Sequence, residues 1–372
     1  MKILVTVLAL LMGTAGLAQT SPQTAAAAPQ ARQAPKGRQA PQAPQAPQAP
    51  KTDVFTDTVA VQVMLDRAGF SPGAIDGQPG SNLMRALTAF QRANGLTESG
   101  LVDDQTRERL TGAGSVPPLT AYQISESDVA GPFTAAIPSD LMAQSKLEKL
   151  GYQNALEVIA ERFHASPQLV RRLNMSASFS KAGEQIQVPN VEPFEVPAPA
   201  TIAPQRGRGR GAEQSRAPAG RGRRGEADTR GTVGVTEYTI AVTKSTSSLT
   251  VEDPAGRVVF HAPVTSGSEH DPLPIGNWKV TTIQVMPKFN YNPELFWDAN
   301  PGHSKATIQS GPNNPVGVAW IDLTKEHYGI HGTPEPGNIG HVQSHGCVRL
   351  TNWDVTRLMK WAQPGTTVVF RE

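Results

Sequence analysis

The chain has 372 residues, of which 38% are hydrophobic and 18% charged, and its formal net charge is +2. This length predicts two or three domains rather than a single core. The nearly balanced charge excludes a nucleic-acid-binding role that depends on a strongly basic chain, so we expect no nucleic-acid partner.

Residues 1–18 have the pattern of a secretory signal peptide, with the basic Lys2, the apolar run Ile3–Met12 and small residues before the predicted cleavage point. The run is shorter than the roughly 20 residues that a membrane-spanning helix needs, so we expect an exported protein that does not span a membrane. No cysteine lies near the predicted cleavage point, which argues against a lipid anchor. Residues 19–53 repeat Gln-Ala-Pro, which predicts an extended tether.

Residues 57–112 predict a small all-α domain of three helices. Apolar faces with helical spacing mark the first two helices and comprise Val63, Met64, Leu83, Leu87 and Phe90. Ser81 or Asn82 is expected to cap the second helix, and Asp103 or Asp104 the third. The segments LDRAGF, GAIDGQPG, ALTAFQRANGL and GLVDDQTRERL resemble the peptidoglycan-binding three-helix domain, which implies a cell-wall partner.

Residues 150–191 predict a smaller α+β unit. One helical face comprises Leu156, Ile159, Ala160 and Phe163. Ser166 and Pro167 have the residue types of an N-cap and a first helical position, and AGEQIQVPN predicts a turn and a short strand. These segments are similar to the second half of a LysM glycan-binding module, without its first strand. Binding of glycan strands and a packing role both remain open for this unit.

Residues 192–233 predict a second linker, rich in Pro, Arg and Gly. Between positions 205 and 230 it has eight arginines and three acidic residues. Arg-Gly runs can bind RNA. In an exported chain we favour a solvated tether that is attracted to an anionic wall or membrane surface.

Residues 235–372 predict a mainly β domain, either a β-sandwich or a partial barrel with one packed helix. The predicted strands are EYTIAVT, SLTVED, VVFHAPVT, GNWKVTTIQV and TTVVF, and the helix is TNWDVTRLMKWA.

The only cysteine of the chain, Cys347, lies in the motif SHGCVRL between a predicted strand at 328–330 and that helix. A nucleophilic cysteine needs a base near it in space, and His331 is a candidate whose ring the carbonyl of Gly332 could orient. The N–H groups of Gly346 and Cys347 could form an oxyanion hole, and Arg349 offers a bidentate fork for a carboxylate.

Two other interpretations of this cysteine stay open on the residues alone. The first is a metal site, for which the candidate ligands are His331, His341, His345 and Cys347. The second is a buried structural cysteine, which is the common role of a lone thiol. The glycine between His345 and Cys347 indicates a bent loop, which suits an open site better than a closed zinc site.

The segment YGIHGTPEPGNIGHVQSHGCVRLTNWDV resembles the catalytic domain of the YkuD family of L,D-transpeptidases. The similarity extends over 235–372 and includes PIGNWKV and GPNNPVGVAWIDL. It implies that Cys347 attacks a peptidoglycan tetrapeptide stem with His331 as base. D-Ala then leaves, and the acyl group passes to an amine of a neighbouring stem to give a 3–3 cross-link.

The resemblance also implies supporting roles for the loop residues Gly332, Ser344, His345 and Gly346. It implies substrate contacts for Arg349, Asn352, Tyr328 and Trp320, although core packing is an alternative for the two aromatic residues. No metal or organic cofactor is implied.

Several alternatives concern the fate of the acyl group. The same acyl-enzyme could react with water, with a free D-amino acid or with a lysine of an envelope protein. A non-catalytic wall-binding scaffold and a zinc-dependent amidase are the alternatives from other classes. The modules and the signal peptide predict a location in the cell envelope, in the periplasm and associated with peptidoglycan.

Overall fold

The computed structural model describes residues 54–112, 116–204 and 237–372. The predicted signal peptide, the Gln-Ala-Pro tether and the Arg/Gly-rich part of the second linker lie outside the described residues. Among the helices in the described ranges, none combines the length and the apolar character needed to cross a membrane.

The N-terminal domain consists of three helices, as the sequence predicts. They are α1 (Val54–Arg67), α2 (Ser81–Ala93) and α3 (Asp104–Thr111). Asp103 caps α3, because its side chain accepts a hydrogen bond from the N–H of Thr106 at 2.7 Å. The N-cap of α2 is Gly80 rather than Ser81 or Asn82, and no side chain caps this helix. The Asn82 side chain instead donates to the carbonyl of Ile339 in the C-terminal domain.

The middle unit places helices between two paired strands. Its elements are β1 (Leu119–Gln123), α4 (Glu126–Val129), α5 (Leu141–Gln144), α6 (Ala155–Arg162), α7 (Pro167–Leu173) and β2 (Gln185–Pro189). Ser166 caps α7 as predicted. The strand β1, which pairs antiparallel with β2, lies upstream of the predicted range 150–191. Residues 124–154 separate β1 from α6, and this long separation explains why the sequence pattern does not show the first strand of the unit. The LysM-like character of the unit stays a prediction.

Part of the predicted second linker is ordered into the C-terminal domain. Phe194 is buried in the core of that domain, and β3 (Ala200–Ile202) pairs antiparallel with the strand Gly276–Val285. Prolines flank β3 at positions 197, 199 and 204, which is why the composition resembles that of a linker. Proline cannot donate in a β-ladder, but it is tolerated beside a short edge strand.

The C-terminal domain is mainly β, as predicted. Its strands are β4 (Thr239–Thr243), β5 (Ser248–Glu252), β6 (Val258–Pro263), β7 (Thr265–Ser266), β8 (Gly276–Val285), β9 (Phe289–Tyr291), β10 (Ala306–Ile308), β11 (Ala319–Leu323), β12 (Gly329–His331), β13 (Val348–Arg349) and β14 (Thr367–Arg371), and its helix is α8 (Asn352–Leu358). Short 3-10 helices occupy Pro293–Leu295 and Pro336–Asn338. The strands β9 and β10 form a separate antiparallel pair.

The large sheet has the strand order β6-β5-β4-β14-β8-β11-β12-β13-β7, with β3 beside β8. Only Val264 separates β6 from β7 along the chain, so the two ends of this order meet and the sheet nearly closes into a barrel. Its interior holds large apolar side chains, among them Phe260, Phe370 and Trp353 of α8. Because α8 begins directly after β13, the packing of Trp353 fixes the chain that follows Cys347.

The three parts of the chain pack against one another. Gly69 and Ser71 of the N-terminal domain exchange backbone hydrogen bonds with His261 of β6. The Ser71 hydroxyl donates to the buried carboxylate of Asp354 in α8 at 2.8 Å. In the middle unit, the N–H of Leu150 donates to the carbonyl of Ser310. Both modules are therefore parts of one packed body in the described residues.

Candidate active site

A cleft of about 930 Å³ opens beside β11, β12 and the loop before β13. Six of the residues that the sequence singles out line it, namely Trp320, Tyr328, His331, His345, Cys347 and Arg349. The other four, Gly332, Ser344, Gly346 and Asn352, lie outside its lining. The structure thus brings the predicted nucleophile and the predicted base to one surface.

Strand pairing explains this arrangement. The strands β12 and β13 are parallel, with Ile330 opposite Val348 and His331 opposite Arg349. Ile330 and Val348 are fully buried in the core. Because side chains alternate between the two faces of a strand, His331 and Arg349 face the cleft. Cys347 immediately precedes β13 and lies at the same end of the cleft.

His331 is held as a neutral imidazole with a defined tautomer. Its Nδ1 lies 2.7 Å from the carbonyl oxygen of Gly332. A carbonyl only accepts, so Nδ1 carries the proton and Nε2 has the free lone pair. Burial first, and then the charge of Arg349, lower the pKa of His331 to about 3. The ring also stacks on Trp320, with centroids 5.2 Å apart, which restricts its orientation.

The Cys347 thiol is partly exposed to the cleft, and its Sγ lies 3.7 Å from the carbonyl oxygen of His327. Burial raises the pKa of the Cys347 thiol above its usual value. A hydrogen bond from the N–H of Gly329 and the charge of Arg349 offset only part of this effect. The site therefore holds a neutral thiol and a neutral imidazole at pH 7. A base that removes the thiol proton during attack suits this state.

The loop before Cys347 is fixed by Ser344. The Ser344 hydroxyl donates to the carbonyl of Cys347 at 2.7 Å and accepts from the N–H of Gly267 at 2.8 Å. Gly346 has φ +96°, a conformation that favours glycine, and a Cβ added there would lie 2.6 Å from the Tyr328 ring. Within the described residues, the N–H groups of Gly346 and Cys347 donate no hydrogen bond. They are available to a substrate oxygen.

His345 is engaged by the loop across the cleft. Its Nε2 lies 2.8 Å from Oδ1 of Asp298, and its ring packs edge-on against Phe296. This contact supports a structural role in the wall of the cleft. Sequence patterns do not indicate Asp298, because it lies 47 positions away in a loop without a recognisable motif.

Arg349 presents an unpaired guanidinium to the cleft. Its buried Nε has no hydrogen-bond partner, and no carboxylate of the described chain lies within ion-pair distance. A bound carboxylate or carbonyl would satisfy this group.

Asn352 does not contact the cleft. It is 1% exposed, and its side chain donates to the carbonyl of Pro312 and accepts from the N–H of Val318. A Cβ added at Gly332 would collide with its Oδ1. The expected substrate contact of Asn352 is therefore replaced by support for Gly332, whose carbonyl orients His331.

The middle unit supplies part of the cleft wall, which the sequence does not predict. Asp140 and Leu141 line the cleft. Asp140 Oδ2 lies 2.8 Å from Nε2 of His303, and the other ring nitrogen of His303 lies 3.0 Å from the hydroxyl of Tyr291. Leu141 packs beside the buried Tyr291. These contacts join residues that are far apart in the sequence, so no local pattern marks them.

The metal hypothesis finds no support in the described residues, where no group of three His, Cys, Asp or Glu side chains is arranged to hold a metal ion. Of its four candidate ligands, His341 is exposed and lies outside the cleft lining.

Comparison with known proteins identifies two domains. Residues 237–370 match the family model YkuD, described as the L,D-transpeptidase catalytic domain. Residues 56–110 match a family model described as "Putative peptidoglycan binding domain". These matches agree with the two resemblances seen in the sequence.

Individual relatives match shorter stretches. The "Putative L,D-transpeptidase YkuD" of Bacillus subtilis is 47% identical over 60 residues, which cover 16% of this chain and 37% of that protein. The "Putative L,D-transpeptidase YqjB" of the same organism is 30% identical over 115 residues, which cover 29% of this chain and 57% of that protein. The chain thus spans less than two thirds of either relative.

Among solved structures, an L,D-transpeptidase from Mycobacterium smegmatis aligns with a TM-score of 0.29 and 17% identity, over 37% of this chain and 59% of that one. The L,D-transpeptidase 3 of Mycobacterium tuberculosis aligns with a TM-score of 0.30 and 16% identity, over 37% of this chain and 62% of that one. By the two family-model matches, residues 237–370 belong to the YkuD L,D-transpeptidase catalytic domain family and residues 56–110 to a peptidoglycan-binding domain family.

Proposed function

We propose that the protein is a peptidoglycan L,D-transpeptidase in which Cys347 is the nucleophile and His331 the base. The observation that carries this proposal is the tautomer of His331. Its Nδ1 is committed to Gly332, so its Nε2 is free to accept a proton in the cleft that Cys347 also lines. The YkuD match supports the reaction class.

In the first half-reaction, Sγ of Cys347 attacks the carbonyl carbon of the third residue of a tetrapeptide stem, and Nε2 of His331 takes the thiol proton. The negative oxygen that forms is bound by the free N–H groups of Gly346 and Cys347. The C–N bond to the terminal D-Ala then breaks. His331 returns its proton to the leaving amine, and a thioester remains on Cys347.

In the second half-reaction, an amine of a neighbouring stem attacks the thioester carbonyl. The C–S bond breaks, a proton passes through His331 to the sulfur, and the product is a 3–3 cross-link. Arg349 binds a carboxylate or carbonyl of the stem, because its guanidinium has no partner in the described chain. Trp320 and Tyr328 form the apolar sides of the cleft.

The N-terminal domain would hold the enzyme on its insoluble substrate and raise the local concentration of stems. This supports a location in the cell envelope. Export to the periplasm is a further part of the proposal and is based on the pattern of residues 1–18. Attachment of an envelope protein through the same thioester is an alternative outcome of the second half-reaction.

The test is mass spectrometry of purified disaccharide-tetrapeptide after incubation with the protein from residue 19 onward, with Cys347→Ala in parallel. A dimer that lacks one D-Ala and requires Cys347 would support the transpeptidase. Loss of D-Ala without a dimer would indicate hydrolysis as the main reaction. Binding to whole cell-wall sacculi without any change in the stems would refute the enzyme and favour a scaffold.

A further inference from the structure

The cleft contains one carboxylate without a partner. Three aspartates line it, namely Asp140, Asp271 and Asp298. Asp140 is paired with His303, and Asp298 with His345, each at 2.8 Å. Asp271 differs from both, because its buried Oδ2 has no hydrogen-bond partner and no cationic nitrogen of the described chain lies within ion-pair distance.

Asp271 is held in place by the same loop contacts that fix Cys347. Its backbone N–H donates to the hydroxyl of Ser268 at 2.9 Å, and its carbonyl accepts from the N–H of Ser268 at 2.8 Å. The neighbouring Gly267 exchanges two hydrogen bonds with Ser344, whose hydroxyl also binds the carbonyl of Cys347. The segment of Asp271 is therefore linked to the loop of Cys347 through Ser268 and the adjoining Gly267, which binds Ser344.

Two further contacts restrain this segment. Leu273 is 2% exposed and anchors the segment in the core. On the other side, His270 stacks on Trp297 with ring centroids 4.2 Å apart. The backbone that carries Asp271 is consequently restrained on both sides of this residue.

A negative charge at this position opposes the first half-reaction. Burial raises the pKa of Cys347, and the charge of Asp271 raises it further. The pKa of Tyr328 is raised by burial and by Asp271 in the same way. A carboxylate that disfavours the thiolate does not help the attack on the donor stem. An unpaired, partly buried carboxylate is also unfavourable for folding. A cationic ligand would compensate its charge, so the position of Asp271 fits a binding role.

We propose that Asp271 is a specificity-determining residue that binds the side-chain ammonium of the acceptor stem. This inference rests on the proposed function, in which an amine attacks the thioester. The ammonium is drawn to Asp271, and it releases one proton to solvent to become the attacking amine. Its nitrogen then forms the new C–N bond while the C–S bond breaks, and its second proton passes through His331 to the sulfur of Cys347.

This assignment divides the cleft by charge. Arg349 offers a positive group to the donor stem, and Asp271 offers a negative group to the acceptor amine. Acceptors that carry a cationic side chain are favoured over water, which is neutral, and over acceptors whose carboxylate would approach Asp271. The acyl group is therefore directed towards cross-linking rather than hydrolysis.

The first test measures binding without turnover. The probe is Nα-acetyl-lysine amide, whose only charge is its side-chain ammonium, and it is titrated by NMR into the full chain carrying Cys347→Ala. We expect Asp271→Asn in that background to weaken binding roughly tenfold, about the effect of one partly buried ion pair. The Nε-acetylated probe, which lacks the charge, should bind equally to both proteins.

The matched control is Asp322→Asn. Asp322 also raises the pKa of Cys347, but it lies outside the cleft lining and its carboxylate accepts from Thr281. We expect this variant to leave probe binding unchanged. Equal loss of binding in both variants would mean that the negative charge near the cleft acts non-specifically, without a direct contact to Asp271, and would contradict the proposal. No loss of binding in Asp271→Asn would also overturn it.

The second test follows the acyl-enzyme. With Asp271→Asn, the acceptor concentration needed for half-maximal cross-linking should rise roughly tenfold, while hydrolysis of the thioester keeps its rate. An unchanged ratio of cross-linking to hydrolysis would contradict the role of Asp271. Absence of any acyl-enzyme in the unaltered protein would instead refute the proposed function, and the binding experiment would still decide whether Asp271 recognises the amine.

Discussion

Arg357 of α8 and Asp66 of α1 form a buried two-point ion pair between the catalytic and N-terminal domains. The Nη1–Oδ2 and Nη2–Oδ1 distances are 2.9 and 2.8 Å. His164 of the middle unit donates to the same carboxylate at 3.1 Å and stacks on Trp353 of α8. Burial alone would raise the pKa of Asp66, but His164 and Arg357 outweigh it and hold the pKa well below its usual range. One carboxylate thus joins all three parts of the chain.

This contact predicts a large loss of stability when one partner is removed. Arg357→Met removes the cation that makes two contacts to the buried carboxylate of Asp66 and leaves His164 beside it, so the free energy of unfolding should fall by about 3–5 kcal/mol. Urea denaturation followed by tryptophan fluorescence measures the change. Arg257→Met is the control, because the side chain of Arg257 is 77% exposed in its pair with Asp253. Its loss should stay below about 1 kcal/mol. A similar, small effect of both substitutions would contradict the importance of the buried pair.

The assigned base predicts a separation between turnover and thiol reactivity. His331→Ala should reduce the rate of D-Ala release by at least about a hundredfold, since general base catalysis contributes on that scale. Alkylation of Cys347 by iodoacetamide at pH 8.5 should persist, because the thiol itself is intact. His341→Ala is the matched control and should release D-Ala at the normal rate, as His341 is exposed and lies outside the cleft lining. Loss of activity in the control would favour the metal hypothesis, in which His341 is a ligand.

The protonation states predict how alkylation of Cys347 depends on pH. Burial raises the pKa of the thiol above its usual value, and burial lowers the pKa of His331 to about 3. Below the thiol pKa, the thiolate fraction grows about tenfold per pH unit. The alkylation rate should therefore rise about tenfold for each pH unit between pH 6 and pH 8.5, without reaching a plateau. A plateau near pH 6, lost in His331→Ala, would reveal a thiolate–imidazolium pair and would refute the neutral resting state.

Glu161 predicts a loss of stability as the pH rises. Burial raises its pKa to about 8, although hydrogen bonds from Asn352 and Tyr152 offset part of the effect. Between the ordinary glutamate pKa and about 8, the folded protein keeps a proton that the unfolded chain releases. The free energy of unfolding therefore falls as the pH rises through this window. Glu161→Gln should flatten this dependence in urea denaturation at pH 5 and pH 8. An unchanged slope would mean that Glu161 is ionised in the folded protein.

Local patterns were sufficient for the helices of the N-terminal domain and for most strands of the catalytic domain. The cap at Asp103 and the strand of GNWKVTTIQV follow from side-chain chemistry and alternation within a few residues. The cap at Gly80 was missed because Asn82, which has the residue type of a cap, is used in a contact with Ile339. The strand Ala200–Ile202 was missed because its flanking prolines have the composition of a linker.

The motif around Cys347 and His331 was enough to predict the reaction class, because a cysteine, its candidate base and the glycines around them occur within one recognisable stretch. Periodicity and capping, which depend on neighbouring residues, also predicted the all-α class of the N-terminal domain and the mainly β class of the C-terminal domain, whereas the LysM-like character of the middle unit stays a prediction. Tertiary contacts, in contrast, set the burial of His331, the unpaired state of Asp271 and the ion pair of Asp66 with Arg357. Asp66 and Arg357 lie 291 positions apart, and burial brings together side chains from separate segments, so no local pattern encodes these features.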